Sequence, residues 1–184
     1  MQISSLTIII SLKSKLLEFP NLVDSLKNKD PDFIEFLEKW MKEVETILKN
    51  NGISECAVIA GYRSKLIAPL FDETQRRSKK KQQLQLASEI MFALQDTLLL
   101  VIKPHEIKVN EARDLLIQLL SIVKQSSTLK YTDQTDFQEF ILRVWQICST
   151  NEQLKQGTIK ILTLISQIDA LRILSEEINL AEWR

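Results

Sequence analysis

Apolar positions recur along this chain at spacings of three and four almost throughout, the pattern of helices that bury one face. The clearest run is Phe33, Ile34, Phe36, Leu37, Trp40, Met41, Val44, Ile47 and Leu48. Asp30-Pro31 marks its start, an N-cap acceptor before a proline whose fixed φ suits a first turn. Asn50-Asn51-Gly52 marks its end, where glycine can take the left-handed cap conformation.

The same spacing predicts a helix near 3–18, a short one near 21–28 and a third over 53–68, ending at Pro69. A long helix is expected from about 72 to 103, stopping before Pro104, and another over 106–126. Beyond the loop Ser126-Ser127-Thr128 comes a helix at 133–149, with Phe137, Phe140, Ile141, Val144, Trp145 and Cys148 inward. Thr150-x-x-Gln153 reads as a capping box for a helix at 151–168. The tail, 169–182, reads as a separate helix or a bent continuation. Periodicity alone does not assign Cys56–Ala60, but no segment reads convincingly as a strand. The expected fold is all-α: seven to eight helices in a single domain, 1–184, forming a compact bundle or a short superhelical, HEAT-like stack.

Two helices share a local pattern. Asp32-Phe33-x-Glu35-Phe36-Leu37-x-Lys39 lines up with Asp136-Phe137-x-Glu139-Phe140-Ile141-x-Arg143, suggesting a weak duplication relating 30–52 and 134–157. A second echo, Leu116–Ser121 with Ile161–Ser166, has a different offset. No one period is therefore sustained, as a solenoid requires. The simpler reading is two amphipathic helices built alike.

Composition narrows the function more than the fold. Lys and Arg number 24, Asp and Glu 24, so net charge is zero and general polyanion binding is disfavoured. The N-terminal apolar run has no basic residue before it and is closed by Lys13 and Lys15, a poor signal peptide and too short a membrane span. Leu98–Ile102 is equally short. Cys56 and Cys148 lack a CxxC partner and read as buried free thiols in a reducing cytoplasm.

Catalytic signatures are sparse. The one histidine, His105, follows Pro104 and reads as a solvated loop residue, without the Glu-x-x-His spacing of a di-iron bundle. Glycines stand only at 52, 61 and 157, too few for a phosphate-cradling loop. No cofactor or small-molecule site is evident. Carboxylate pairs at one-turn spacing, Glu35 with Glu38, Glu111 with Asp114 and Asp133 with Asp136, could hold Mg²⁺. The simpler reading is acids that oppose helix dipoles or decorate solvated faces.

The basic run Arg76, Arg77, Lys79, Lys80 and Lys81 places five cations in six residues, and Arg63 would join it if two helices fold back. Such a collar could contact phosphate, although the segment 72–96 sets four acids against its five cations and aromatic stacking partners are missing from the immediate vicinity of the run. Ala57, Gly61, Ser64 and Ala68 form a stripe of small residues, read as a packing face. Trp183, one residue from the end, is expected to dock onto the body or onto a dimer mate.

These residues point to a non-catalytic cytoplasmic interaction or regulatory protein that binds a protein partner or itself. One alternative is a nucleic-acid-associated regulator using residues 76–81 and Arg63. A second is a metal-dependent all-α hydrolase built on the carboxylate pairs.

Overall fold

The computed structural model describes residues 3–68, 79–126, 129–132 and 136–183, with the side chains of residues 79 and 80 left aside. The described residues form an all-α protein of seven helices without strands. These are α1 (Ser5–Lys27), α2 (Phe33–Asn50), α3 (Cys56–Ile67), α4 (Lys79–Gln125), α5 (Phe137–Thr150), α6 (Glu152–Leu164) and α7 (Gln167–Glu177). A 3-10 turn, Leu180–Glu182, follows.

Both interior prolines depart from the sequence expectation. Segments 3–18 and 21–28 are one helix carrying Pro20, and the stretches either side of Pro104 are one helix of 47 residues. A proline removes one i→i−4 bond and clashes with that carbonyl, at about 3 kcal/mol. Packing outweighs this because the inward phase is unbroken across each proline. Leu94, Leu98, Ile102, Val109, Ala112 and Leu116 are all buried along α4. His105 consequently sits inside a helix and is half-buried, rather than in a solvated connector. The doubtful stretch Cys56–Ala60 is helical, as part of α3.

Contacts divide the chain into two compact units, Thr7–Pro104 and Met1–Leu6 with His105–Arg184. In the Thr7–Pro104 unit, α2 buries Phe33, Leu37, Trp40, Met41, Val44 and Leu48, most of its expected stripe. Phe36 is left half exposed. The N-cap falls at Asp32 rather than Asp30, whose carboxylate instead accepts the Asp32 N–H at 2.9 Å. At the other end Gly52 has φ 64°, with Gly52 N donating to Lys49 O and Ile53 N to Leu48 O, the Schellman pattern.

Side chains tie the remaining helices of this unit to α2. Trp40 Nε1 donates to the Lys15 carbonyl at 3.1 Å, and Phe19 meets the Trp40 ring edge-on at 5.7 Å. From α4, Gln83 Nε2 reaches the Leu66 carbonyl in the last turn of α3, satisfying an acceptor that the helix end leaves open.

The His105–Arg184 portion packs α5, α6 and α7 against the second half of α4. Asn151, not Thr150, caps α6, accepting from Gln153 N, and Thr150 ends α5. The tail beyond Ile165 is a separate helix, α7, capped by Ser166. Gly157 lets α6 approach α4, since a Cβ there would stand 2.9 Å from Leu119 Cδ2. Arg113 spans to Glu176 and Glu177 of α7, and Lys160 to Glu111. Asp32 and Asp136 occupy equivalent N-cap positions, but the inward faces differ. Phe33 is buried where Phe137 is half-buried, and Phe36 is exposed where Phe140 is buried.

Candidate functional site: an apolar groove between α1 and α4

Residues singled out from the sequence are scattered. Arg63 pairs with Glu45 of α2, Nε to Oε2 at 3.1 Å, so its charge is already matched within its own unit. Lys81 is exposed, whereas Arg76 and Arg77 lie outside the described residues and only the backbone of Lys79 and Lys80 is described. Trp183 is buried: its ring meets Phe140 edge-on at 5.5 Å, and its carbonyl accepts the Tyr131 N–H at 2.7 Å. Its aromatic surface is committed to its own unit.

The small-residue stripe is a correction. Ala57, Gly61, Ser64 and Ala68 are all exposed, and a Cβ on Gly61 would meet nothing within 4 Å. Helix α3 packs through Ile59 and Leu66 instead, because those larger side chains bury more apolar area. Among the carboxylates, Glu35, Glu111 and Asp114 are exposed, and Asp133 lies outside the described residues. No group of three or more His, Cys, Asp and Glu side chains that could hold a metal occurs among the described residues.

Within the Thr7–Pro104 unit, the C-terminal half of α1 and the first half of α4 enclose an open groove of about 500 Å³. Leu16, Phe19, Pro20, Val23 and Leu26 line one wall, and Met91 and Phe92 the other. Polar groups stand at its margins: Asp24 and Lys27, paired at 3.9 Å, with Ser88 and Gln95. Phe19 and Met91 are buried and form the floor, whereas Phe92 is 77% exposed. Pro20 has no N–H to donate to the Leu16 carbonyl, which leaves that acceptor without its usual helical partner at the groove wall.

Further apolar side chains are exposed on the same two helices. Leu99 and Leu100 of α4 are exposed, as is Leu17 of α1. Helix α4 carries an 18-residue window with mean hydropathy 1.4, enough to cross a membrane by length and composition, and 39% of that window is buried inside the structure. The inward phase of α4 (Ala87, Met91, Leu94, Leu98) explains the buried share. Phe92 is out of that phase, and core packing gives no reason for an aromatic there.

A second cavity, of about 430 Å³, lies in the same unit between α1 and α2 and is lined by Lys15, Glu18, Lys39, Trp40 and Glu43 among others. Its central charge is satisfied, because Lys15 binds both Glu18 and Glu43. Burial pulls the Lys15 pKa down, but the hydrogen bonds it donates to Glu43 and Glu18 outweigh this and leave the ammonium above its ordinary value.

In the other unit, the one histidine joins a polar cluster that sequence spacing had not brought together. Ser5 Oγ lies 3.0 Å from His105 Nδ1, and Asp169 accepts from Ser4 Oγ and from Ser5 N. The carboxylate is directed at a helix end rather than at the imidazole, so this is a capping arrangement and not a Ser–His–Asp triad.

The chain matches no family model, no curated protein and no solved structure.

Proposed function

We propose that this protein is a non-catalytic helical interaction protein, and that the α1/α4 groove receives an amphipathic helix of a protein partner. The observation that carries the reading is Phe92, a large aromatic 77% exposed on the lip of an apolar groove. Grooves between helices suit a partner helix that inserts apolar side chains at i, i+3, i+4 and i+7. Burying an exposed phenylalanine contributes about 2 kcal/mol, and aromatic side chains of this kind dominate interface energetics.

Other features fit this reading. His105, the one histidine of the chain, is engaged with Ser5, and Arg63 with Glu45, so neither stands free for chemistry or for phosphate.

The test is selection from a phage-displayed library of helical peptides on the wild-type protein, repeated on Phe92→Asp. Enriched peptides should carry apolar residues at helical spacing and lose at least about 30-fold in affinity on the variant, the equivalent of about 2 kcal/mol. Peptides that bind both proteins equally, or no enrichment, would remove the groove from the account. Sedimentation velocity separates the case of a second copy of this chain, which would show as a dimer lost in Phe92→Asp. Salt-sensitive binding to generic DNA or RNA that is abolished by alanine at residues 76, 77, 79, 80 and 81 would favour the nucleic-acid reading instead.

A further inference from the structure

We infer that Asp169, His105 and the Ser4–Ser5 pair form a pH-sensitive clasp that fastens the start of α1 to α7 and opens on acidification.

Asp169 is 1% exposed and occupies the third position of α7, where its own N–H donates to the capping hydroxyl of Ser166 at 3.2 Å. An acid at this position ordinarily turns back to the N–H of its own cap. This one reaches across 165 residues of sequence to Ser4 Oγ and, at 2.9 Å, to Ser5 N. One carboxylate thus sits at the positive ends of two helices, α1 and α7, and fastens the first turn of one to the first turn of the other.

His105 supplies the sensitivity. Its Nδ1 lies 3.0 Å from Ser5 Oγ, and which of the two donates depends on the protonation of the ring. In the neutral ring the hydroxyl can donate to Nδ1; in the imidazolium Nδ1 is a donor, and Ser5 must turn its own proton elsewhere. The cation also meets unfavourable surroundings. Partial burial disfavours it first and Lys108, one turn along α4, second; Asp169 of α7 favours it but does not reverse the balance, so the pKa lies below its ordinary value. The first turn of α1 contributes no charged side chain, only the positive end of its dipole, which opposes an imidazolium. A group whose folded pKa is depressed contributes stability that is present above its unfolded value of 6.5 and is lost as pH falls through the folded one. Acid therefore loosens the clasp.

Because the chain has one histidine, its titration is read without ambiguity by NMR, and the amide exchange of Ser5 is followed over the same pH range. The midpoint should fall below 6.5. Ser5 exchange, corrected for its intrinsic pH dependence, should accelerate with that same midpoint, by about tenfold for each pH unit of depression. In His105→Gln, which keeps hydrogen-bonding capacity without titrating, the acceleration should vanish. Protection of Ser5 that is unchanged through the histidine titration, a midpoint at or above 6.5, or the same acceleration in His105→Gln would overturn the inference. The wild-type measurement decides it even if the variant fails to fold.

Discussion

Replacing Asp169 with alanine should remove more stability than any other single polar substitution among the described residues. The side chain accepts from Ser4 Oγ and from the buried Ser5 N–H, and it lies in the first turn of α7. Hydrogen bonds to a charged group contribute about 1.5–3 kcal/mol each, and a favourable dipole interaction about 0.3–1 kcal/mol. Alanine forfeits both bonds and leaves a buried donor unpaired, so the expected loss is about 3–5 kcal/mol. That is a large share of the roughly 5–15 kcal/mol typical of a folded protein. Asp169→Asn keeps an oxygen for the Ser5 N–H without the charge and should lose about half as much. Equilibrium urea unfolding at pH 7.5 with 5-fluorotryptophan reads the effect, since Trp145 and Trp183 both report the unit that holds Asp169. A loss below about 1 kcal/mol in Asp169→Ala would show that the carboxylate does not fasten the two helices.

Three further consequences follow from particular residues. Gly61→Ala should stabilise by about 0.5–1 kcal/mol, the helix-propensity gain at an exposed site with open space. Gly157→Ala meets the methyl groups of Leu119, which must shift to admit it, and should gain less than Gly61→Ala; equal thermal shifts for the two would contradict the close approach of α6 to α4. Burial pushes the Cys148 thiol up to about 11, so a thiol reagent at pH 8 should modify only half-exposed Cys56 in the native protein and both cysteines once it is unfolded. The same displacement contributes stability that is complete below pH 9 and is lost as pH rises towards about 11, a slope that Cys148→Ala should flatten.

The helices were legible where apolar phase and end signals agreed. Phe33 to Leu48 shows both, down to the positive φ of Gly52. Pro20 and Pro104 misled because local chemistry opposes a helix there, and only the uninterrupted buried face on both sides, a tertiary property, outweighs it. The small residues of α3 misled for the converse reason: a stripe that permits close approach does not supply a neighbour, and none faces Gly61.

The groove was half legible. Phe92 stands out of phase with Ala87, Met91, Leu94 and Leu98, and that mismatch could have marked it as surface aromatic. Its opposite wall on α1 depends on Pro20 lying within a continuous helix, where the sequence spacing had suggested two helices, near 3–18 and 21–28. The Asp169–Ser5–His105 cluster joins Ser5 to residues 100 and 164 positions away, beyond any spacing argument.

The central claim is tested most directly by placing the photocrosslinker p-benzoylphenylalanine at position 92 in cells. Position 142 serves as the control, since Leu142 is an exposed apolar residue of the other unit. The account predicts one discrete protein adduct at 92, absent at 142, with the crosslinked partner residue on the apolar face of a helix. No adduct at 92 beyond those seen at 142, or crosslinks spread over non-helical segments of many proteins, would contradict it.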